Sequence, residues 1–465
     1  MASNKVDITI IGAGLTGLTT AFYLVKAGFK VLVLEKTAHT GGVINTRNKK
    51  GFVYETGPNT GIIGTADIVE LFNDLKEDIS PEIANPKSKS RWILKNGKWN
   101  ALPSGLFQAI ATPLFTMRDK LRILGEPFRK AGKNENESVA DLVKRRLGKS
   151  YLDYAVDPFI SGIYAGDPEK LITRFALPKL YNLDHQYGSF IRGAIKKKKE
   201  PKTEIEKKVS REVFSIRGGL YQLIKSLEKR VGSDHIYTEV SNIQTVNEPD
   251  GFKIKFRQSS GEEQDVFSTK LISTIGGIGL AQLLPFVSKE EMEAISNTEY
   301  ARVVQLVACY NNWKGIPLNA FGGLIPSKEN KKSLGVLFTS SIFKDRAPEG
   351  GAVISVFMGG MRNPDMIDKT DDEIKDIAMR ELEETLGSDQ KPEFLEIFRY
   401  THAIPQYTIN TEERLMTIDK VEQKFPGLII AGNLKDGIGM ADRIKQAKNL
   451  AEKLINGNRN AGKKD

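Results

Sequence analysis

Three glycines near the start constrain this chain more than any other feature. Residues 8–11 form a largely apolar run, Gly12, Gly14 and Gly17 follow at the spacing G-x-G-x-x-G, and Leu18, Ala21, Phe22 and Val25 recur at helical spacing. The order is strand, tight turn, helix. In that geometry the glycines let the backbone approach a pyrophosphate closely, and the free amides at the helix N-terminus face the anion. A second apolar run, 31–34, ends in Glu35, about 20 residues beyond the turn, where a carboxylate accepts bonds from both ribose hydroxyls. Strand, helix, second strand and terminal acid supply the context that a bare glycine motif lacks, so the segment reads as a dinucleotide site; the alternative is a turn used only for tight packing. An acid at position 35 disfavours a 2′-phosphate, and with it NADP.

With 465 residues the chain exceeds a single core, and length suggests roughly two to four domains. Hydrophobic residues make up 40%, and no charged-then-apolar leader precedes Val6, so a soluble or peripheral protein without export is expected. The one cysteine, Cys309, rules out an internal disulfide and suits a reducing compartment; it reads as an apolar filler in a strand rather than a reactive thiol. Four histidines without ligand spacing argue against a metal site, and neither a Walker loop nor a G-x-S-x-G elbow is present. The net charge of +10 attracts anionic surfaces, whether membrane, nucleic acid or carboxylated substrate. Part of it lies in KKKKEPKTEIEKK, residues 196–208, which reads as a solvated, mobile loop, with lipid headgroup contact as the alternative.

Along the chain, GFVYETGPNTG forms a short hairpin with its preceding segment and ends in a turn at Gly57 and Pro58, and a helix follows over 67–75. Two strands meet across Asn96-Gly97. Residues 99–117 carry no charge, and Leu106, Phe107, Ile110, Leu114 and Phe115 share a helical face. Pro103, Pro113 and several polar residues make it a poor membrane span; it reads either as an element lying in the membrane interface, with Arg118, Lys120 and Arg122 following, or as a buried helical hairpin. Residues 139–195 are mainly helical, broken at DPFISGIYAGDPEKL. FSIRGGLYQLIKSLEKRV gives strand, turn and helix, HIYTEVSNIQTV one strand, and FKIKFRQ another. Strands dominate 303–310, 335–340 and 352–357, a helix covers 371–386, and the chain closes on a second strand, glycine turn and helix.

These landmarks in this order resemble the FAD-dependent protoporphyrinogen oxidase family within the amine oxidase-like flavoproteins. The general motifs are Gly12, Gly14, Gly17, Glu35, Gly41-Gly42, ETGP at 55–58, EVSNI at 239–243 and AGNLKDGIG at 431–439. More specific are RWILKNGKWNALPSG, DPFISGIYAGDPEKL, FSIRGGLYQL, SLGVLFTSSIFKDRAP and VFMGGMRNP. The resemblance implies an α/β fold: a discontinuous Rossmann-like FAD domain (1–88, 206–290 and 418–465), a mixed-sheet substrate domain (89–100 and 291–417) and a helical, membrane-docking insertion (101–205).

The resemblance also implies roles. Gly12, Gly14, Leu15, Thr16, Gly17, Glu35, Lys36, Gly41, Gly42, Gly57 and Pro58 would hold FAD, with the adenine on the backbone of Val240. Gly432, Asn433, Gly437, Ile438, Gly439 and Met440 would meet the flavin, where helix N-terminal amides stabilise negative charge near N1. Arg91 would pair with a propionate, and Leu337 and Phe357 would line the slot facing Tyr164, Ala165 and Gly166. No residue is named as a catalytic base. Thr40, Asn59 and Arg443 depart from the family's usual basic residue, Arg or Asp, and Cys at those places. The implied reaction, in heme biosynthesis, takes protoporphyrinogen IX and oxygen to protoporphyrin IX and hydrogen peroxide. Coproporphyrinogen III oxidation is the nearest rival; an amine oxidase or carotenoid desaturase, or a silent flavoprotein scaffold, stand further off. A porphyrinogen, oxygen and an anionic membrane on its cytoplasmic face are the expected partners, without nucleic acid; the oligomer is left open, with a homodimer among the options.

Overall fold

The computed structural model describes residues 4–201, 207 and 209–461. Its first sheet is built on four parallel strands, Val31–Leu34, Asn4–Ile11, Glu263–Ser273 and Leu428–Ile430, aligned so that Val33, Ile10, Ile272 and Ile429 lie side by side. Ile236–Tyr237 adds a parallel edge beside Val31–Leu34, while Gly251–Arg257 and Ser241–Glu248 continue the Glu263–Ser273 strand as an antiparallel meander. Every residue of Val31–Leu34 is buried, the signature of a strand covered on both faces. One cover packs Leu18, Leu24, Leu227 and Ile444 from three helices against Ile8, Ile10 and Val33. The other packs Leu280, Ile295, Ile418 and Val421 against Ile11, Leu34 and Leu271.

The second sheet has the strand order Phe394–Pro405, Tyr300–Tyr310, Ala352–Gly359, Ser333–Phe338, Gly322–Leu324, Arg91–Lys95, Lys98–Ala101. One face carries Val304, Leu306, Val336, Phe338, Ile354 and Val356 and is closed by the helix Asp371–Leu386 through Ile374, Ala378 and Leu382. That helix starts in a capping box, Thr370 with Glu373, and ends at Gly387 in the left-handed region. The opposite face is covered by several elements, two of them at its ends. The hairpin Thr46–Lys49/Phe52–Glu55 lays Phe52 and Tyr54 on Val307, Cys309 and Val353, and the helical region lays Leu114, Phe115 and Tyr154 on Ile93 and Leu324. Between them runs a strip of sheet that carries Leu337, Phe357 and Gln305.

Several expectations are met closely. The expected hairpin turn at Asn96-Gly97 has positive φ at both residues, as a two-residue turn matching strand twist demands, and the first hairpin turns in the same way at Lys50-Gly51, a position the sequence reading did not name. Others are corrected. DPFISGIY is itself helical, Asp157–Tyr164, running on from a π-helical stretch, Leu152–Val156, and stopped by Ala165 at φ 46°. HIYTEVSNIQTV is two strands, since Glu239 and Asn242 take positive φ and kink the chain around Val240. Lys196, Lys197, Lys198 and Lys199 end the helix Phe190–Lys199 rather than lying in a loop; their charges suit the carbonyl end of a helix, and 202–206 and 208 of the expected mobile loop lie outside the described residues. Residues 99–117 divide. Phe107 and Ile110 on the short helix Leu106–Ala111 are exposed, whereas Leu114 and Phe115 lie beyond it and are buried, Phe115 stacking on Tyr151.

Under that exposed surface the helical region is pinned by Arg146, which is fully buried with Glu126 and Asp184. Arg146 pairs with Asp184, lies 3.3 Å from Glu126, and donates to the carbonyls of Arg129 (2.9 Å) and Gly188 (2.7 Å). Glu126 in turn accepts the Ser189 hydroxyl (2.6 Å) and the Phe190 amide (3.0 Å). Removing one member of such a cluster strands the others out of water. Arg146→Met should therefore destabilise the protein by about 3–5 kcal/mol, read as a lower urea midpoint of the helical signal.

Candidate cofactor and substrate site

The carboxyl ends of the parallel strands define a crevice, the place where open α/β sheets bind ligands. Gly12 (φ 101°) turns the chain out of the first strand, and Gly17 is forced by contact: a Cβ there would lie 2.0 Å from the Gly12 carbonyl oxygen. Gly14 differs, because a Cβ on it would meet nothing within 4 Å. It starts the helix Leu15–Lys26 with no side-chain cap, so that helix's first amides are open to an anion. Gly41 donates to the Ala13 carbonyl at 2.7 Å and bridges Gly14, and Gly42 lies against the Gly14 backbone. Gly57 is equally confined, 1.9 Å from the Val43 carbonyl if it carried a Cβ. Leu15, Thr16 and Pro58 stand on the same turns, and Lys36 is exposed just outside them.

Glu35 is 9% exposed and already holds three donors: the amides of Ala13 (2.8 Å) and Thr37 (2.9 Å), and the Thr37 hydroxyl (2.8 Å). That leaves about one of a carboxylate's four lone-pair sites. The Thr37 hydroxyl also reaches the His39 carbonyl at 2.8 Å, and when its proton goes there Glu35 can take both hydroxyls of a ribose. The Val240 amide donates to the Glu35 carbonyl at 3.0 Å, so its carbonyl is the group left to face an adenine.

The second glycine turn joins the first at Thr274. The Thr274 hydroxyl reaches the Gly12 carbonyl at 2.9 Å, and Gly432 (φ 84°) would place a Cβ 2.6 Å from the Thr274 carbonyl. Met440, at the start of the helix Met440–Ala461, shares a cluster with Ala13 and Leu15. Two of the amides expected to be free are occupied: Gly437 donates to the Tyr407 phenol (3.1 Å) and Gly439 to Asp442 (3.1 Å). Those of Ile438 and Met440 have no acceptor among the described residues and remain available, with Asn433 on the turn before them. One uncapped helix start, a second with two amides still free, and an acid between glycine turns fit an extended dinucleotide whose pyrophosphate lies at the first helix.

The substrate residues fall on two rows of the second sheet, in which Gly322, Gly335, Ser355 and Gln305 are buried and Leu337 and Phe357 half-buried. Arg91, Gly322, Leu337 and Ser355 are register partners in one row across four strands, and Gly335, Phe357 and Gln305 form the next. The row begins at Arg91, exposed with its guanidinium 5.2 Å from the centre of the Phe321 ring and in no ion pair among the described residues. It ends at Ser355, whose hydroxyl donates to Asn59 Oδ1 at 3.1 Å, and Asn59 in turn donates to the Gly57 carbonyl at 2.8 Å. The strip thus runs from an exposed cation to the cofactor turn, and its glycines answer to close backbone approach, since a Cβ on Gly322 would lie 2.2 Å from the Val336 carbonyl oxygen and one on Gly335 2.7 Å from that of Gly323. Ala165 packs with Phe357 and Leu334. Tyr164 turns away, donating its hydroxyl to the Ala176 carbonyl (2.6 Å), and touches Tyr407 and Ile438 instead. Gly166 leaves room for Gln406, whose Oε1 would lie 2.7 Å from a Cβ there.

Sequence reading passed over Gln305, Gln406 and Tyr407. Gln305 donates to the Glu55 carbonyl (2.9 Å) and Gln406 to the Tyr164 carbonyl (3.0 Å), tying the sheet to the hairpin and to the 164–166 loop. The available signal was polar and aromatic residues inside otherwise apolar strands or at their ends. A separate cavity of about 290 Å³, lined by Ser327, Asn330, Lys331, Lys332, Arg362 and Asn363, opens beyond the strip; its Arg362 is paired with Asp157.

A model of the family described as flavin containing amine oxidoreductase matches residues 15–455. The mitochondrial protoporphyrinogen oxidase of Nicotiana tabacum is 30% identical, over 97% of this chain and 95% of that protein. The coproporphyrinogen III oxidase of Bacillus subtilis is 23% identical, over 96% and 97%. Among solved structures, a protein of Exiguobacterium sp. 255-15 aligns with a TM-score of 0.80 at 21% identity over 98% of this chain and 99% of that one. Cyclohexylamine oxidase from Brevibacterium oxydans aligns with a TM-score of 0.68 at 15% identity over 97% and 99%. The chain belongs to the flavin containing amine oxidoreductase family, has the amine oxidase-like flavoprotein fold, and uses FAD as its cofactor.

Glu55, beside the cofactor turn, gives a pH test. It is buried, accepts the Thr46 hydroxyl (2.5 Å) and the Leu220 amide (3.0 Å), and burial raises its pKa from 4.5 to about 7. A carboxyl raised on folding contributes stability that is full below its unfolded value and is lost as pH rises through its folded one. Stability should therefore fall between pH 4.5 and about 7 by on the order of 3 kcal/mol, and Glu55→Gln should flatten that fall in urea titrations at both ends of the window.

Proposed function

We propose that this family member is an oxidase that removes hydrogen from a porphyrinogen, with protoporphyrinogen IX as substrate and oxygen as final acceptor. The observation that carries the reading is the row itself, which runs from one unpaired arginine, Arg91, through Gly322 and Leu337 to Ser355 beside the cofactor turn. A flat apolar macrocycle bearing carboxylates needs an apolar slot with a cation at its rim. The full-length likeness to porphyrinogen oxidases supports the same substrate class.

When bound, FAD supplies the acceptor for successive two-electron oxidations. The chain's own work is positional. Leu337 and Phe357 contact the ring faces, and Ala165 closes against Phe357. Arg91 orients the macrocycle through a carboxylate, and the Ser355–Asn59 pair holds the Gly57 turn at the inner end. Release of substrate protons passes to solvent.

The same molecule docks on a membrane surface. Among the described residues no helix is long and apolar enough to cross a bilayer. Phe107 (87% exposed), Ile110, Met117, Leu121, Leu124 and Phe128 (84% exposed) instead present apolar side chains along 107–128. Arg118 and Arg122 lie on the helix Met117–Leu124, and Arg192 sits 5.8 Å from the Phe128 ring. Apolar side chains rimmed by cations suit an anionic interface.

Three experiments test this. Aerobic oxidation of protoporphyrinogen IX should outpace that of coproporphyrinogen III, followed by porphyrin fluorescence; preference for the tetracarboxylate would move the enzyme to that substrate, and silence with both would overturn the reading. Arg91→Ala should raise KM roughly 10- to 100-fold, the range of a charged hydrogen bond, with a smaller effect on kcat; unchanged kinetics would remove Arg91 from the site. For the membrane, co-sedimentation with anionic vesicles should fall with added salt and by at least about tenfold in Phe107→Ser/Leu121→Ser/Phe128→Ser. Absence of binding at low salt would make the protein non-membranous.

A further inference from the structure

The segment entering the helix Met440–Ala461 is held by two side chains of that helix. Arg443, 7% exposed, donates to the carbonyl of Gly432, to Gln446 Oε1 (2.8 Å) and to the Lys435 carbonyl (2.7 Å). Gln446 accepts the Gly432 amide (2.9 Å) and donates to the Lys435 carbonyl (3.2 Å) and to Asp436 (2.8 Å). Both polar groups of Gly432 and the carbonyl of Lys435 are thereby fixed, immediately before the free amides of Ile438 and Met440.

The clamp is charged where charge is costly. A second guanidinium, Arg414, is 3% exposed; it donates to the Thr298 hydroxyl (3.2 Å), and its Nε and Nη2 have no partner. Both arginines bear on the Tyr407 phenol, which accepts the Gly437 amide. Neither makes an ion pair among the described residues. Asp442 and Asp436 are the acids near Arg443, but Asp436 is exposed and Asp442 half-buried, so water screens them more than it screens the buried cations. Burial pulls both guanidiniums below their ordinary pKa, as expected for charge held out of water without a carboxylate. Packing alone gives no reason for this, since an apolar side chain would fill the space without the desolvation penalty.

We propose that Arg443 is a positioning residue for the flavin and also sets its redox poise: it locks the 432–436 segment, and its buried charge favours the ring in the state that carries negative charge. The proposal rests on FAD as cofactor and is independent of the porphyrinogen reading. Its test needs no substrate. The midpoint potential of bound FAD is measured in purified holoenzyme by dye equilibration for the parent protein, Arg443→Met, Arg443→Lys and Gln446→Leu.

Arg443→Met should lower the ratio of reduced to oxidised flavin at fixed potential about tenfold, equivalent to about 30 mV for a two-electron couple. Arg443→Lys, which keeps the charge, should stay within about twofold. Gln446→Leu, which loosens the same segment without removing a charge, should release FAD faster yet keep its potential within about twofold. An unchanged potential in Arg443→Met, or an equal drop in Gln446→Leu, would overturn the proposal. Should Arg443→Met fail to retain FAD, a tenfold drop in Arg443→Lys would overturn it alone.

Discussion

Close backbone contact at the carboxyl ends of four parallel strands is the constraint on which the rest of this structure depends. Thr274 sits at its centre, with the Gly12 turn on one side and the Gly432 turn on the other, and a Cβ at Gly12, Gly17 or Gly432 would lie within 3 Å of a neighbouring atom. That proximity puts two helix N-termini and one acid around a single crevice. A dinucleotide is held mainly by backbone amides there, which explains why so few charged side chains mark the cofactor site.

The substrate side follows a different rule. Its sheet uses one face for an ordinary core under the helix Asp371–Leu386 and turns the other toward the hairpin and the helical region, with the substrate strip between them. The strip owes its direction to register, since Arg91, Gly322, Leu337 and Ser355 share one row. The hairpin Thr46–Lys49/Phe52–Glu55 ties this sheet to the nucleotide half. Glu55 binds the Leu220 amide with its carboxyl while its carbonyl accepts from Gln305, so one residue spans both halves.

What could be read from the sequence was what depends on neighbours in the chain. The Gly12 turn, the Asn96-Gly97 hairpin and the capped helix from Asp371 all declare themselves within a few residues. The break around Val240 was missed because positive φ at Glu239 and Asn242 is set by the pairing of 236–240 with 34–37. Leu114 and Phe115 were assigned to the same face as Phe107, and spacing alone could not show that the helix stops at Ala111 and the chain turns inward onto Ile93. Arg443 stood out as unusual, but its role depends on Gly432 and Lys435 reaching the same point in space. Gln406 and Tyr407 gave no local signal because their partners lie in other elements.

The strand pairing also bears on when the protein can become functional. Asn4–Ile11 pairs with Glu263–Ser273, and Leu428–Ile430 completes the row. One edge of the Asn4–Ile11 strand pairs with nearby Val31–Leu34, but its other edge waits for a partner more than two hundred residues later and is uncovered until then, an interval in which large proteins are prone to aggregate. No nascent chain that ends before the Leu428–Ile430 strand contains both glycine turns. Cofactor loading is therefore a late event, coupled to closure of the crevice by the last strand and helix.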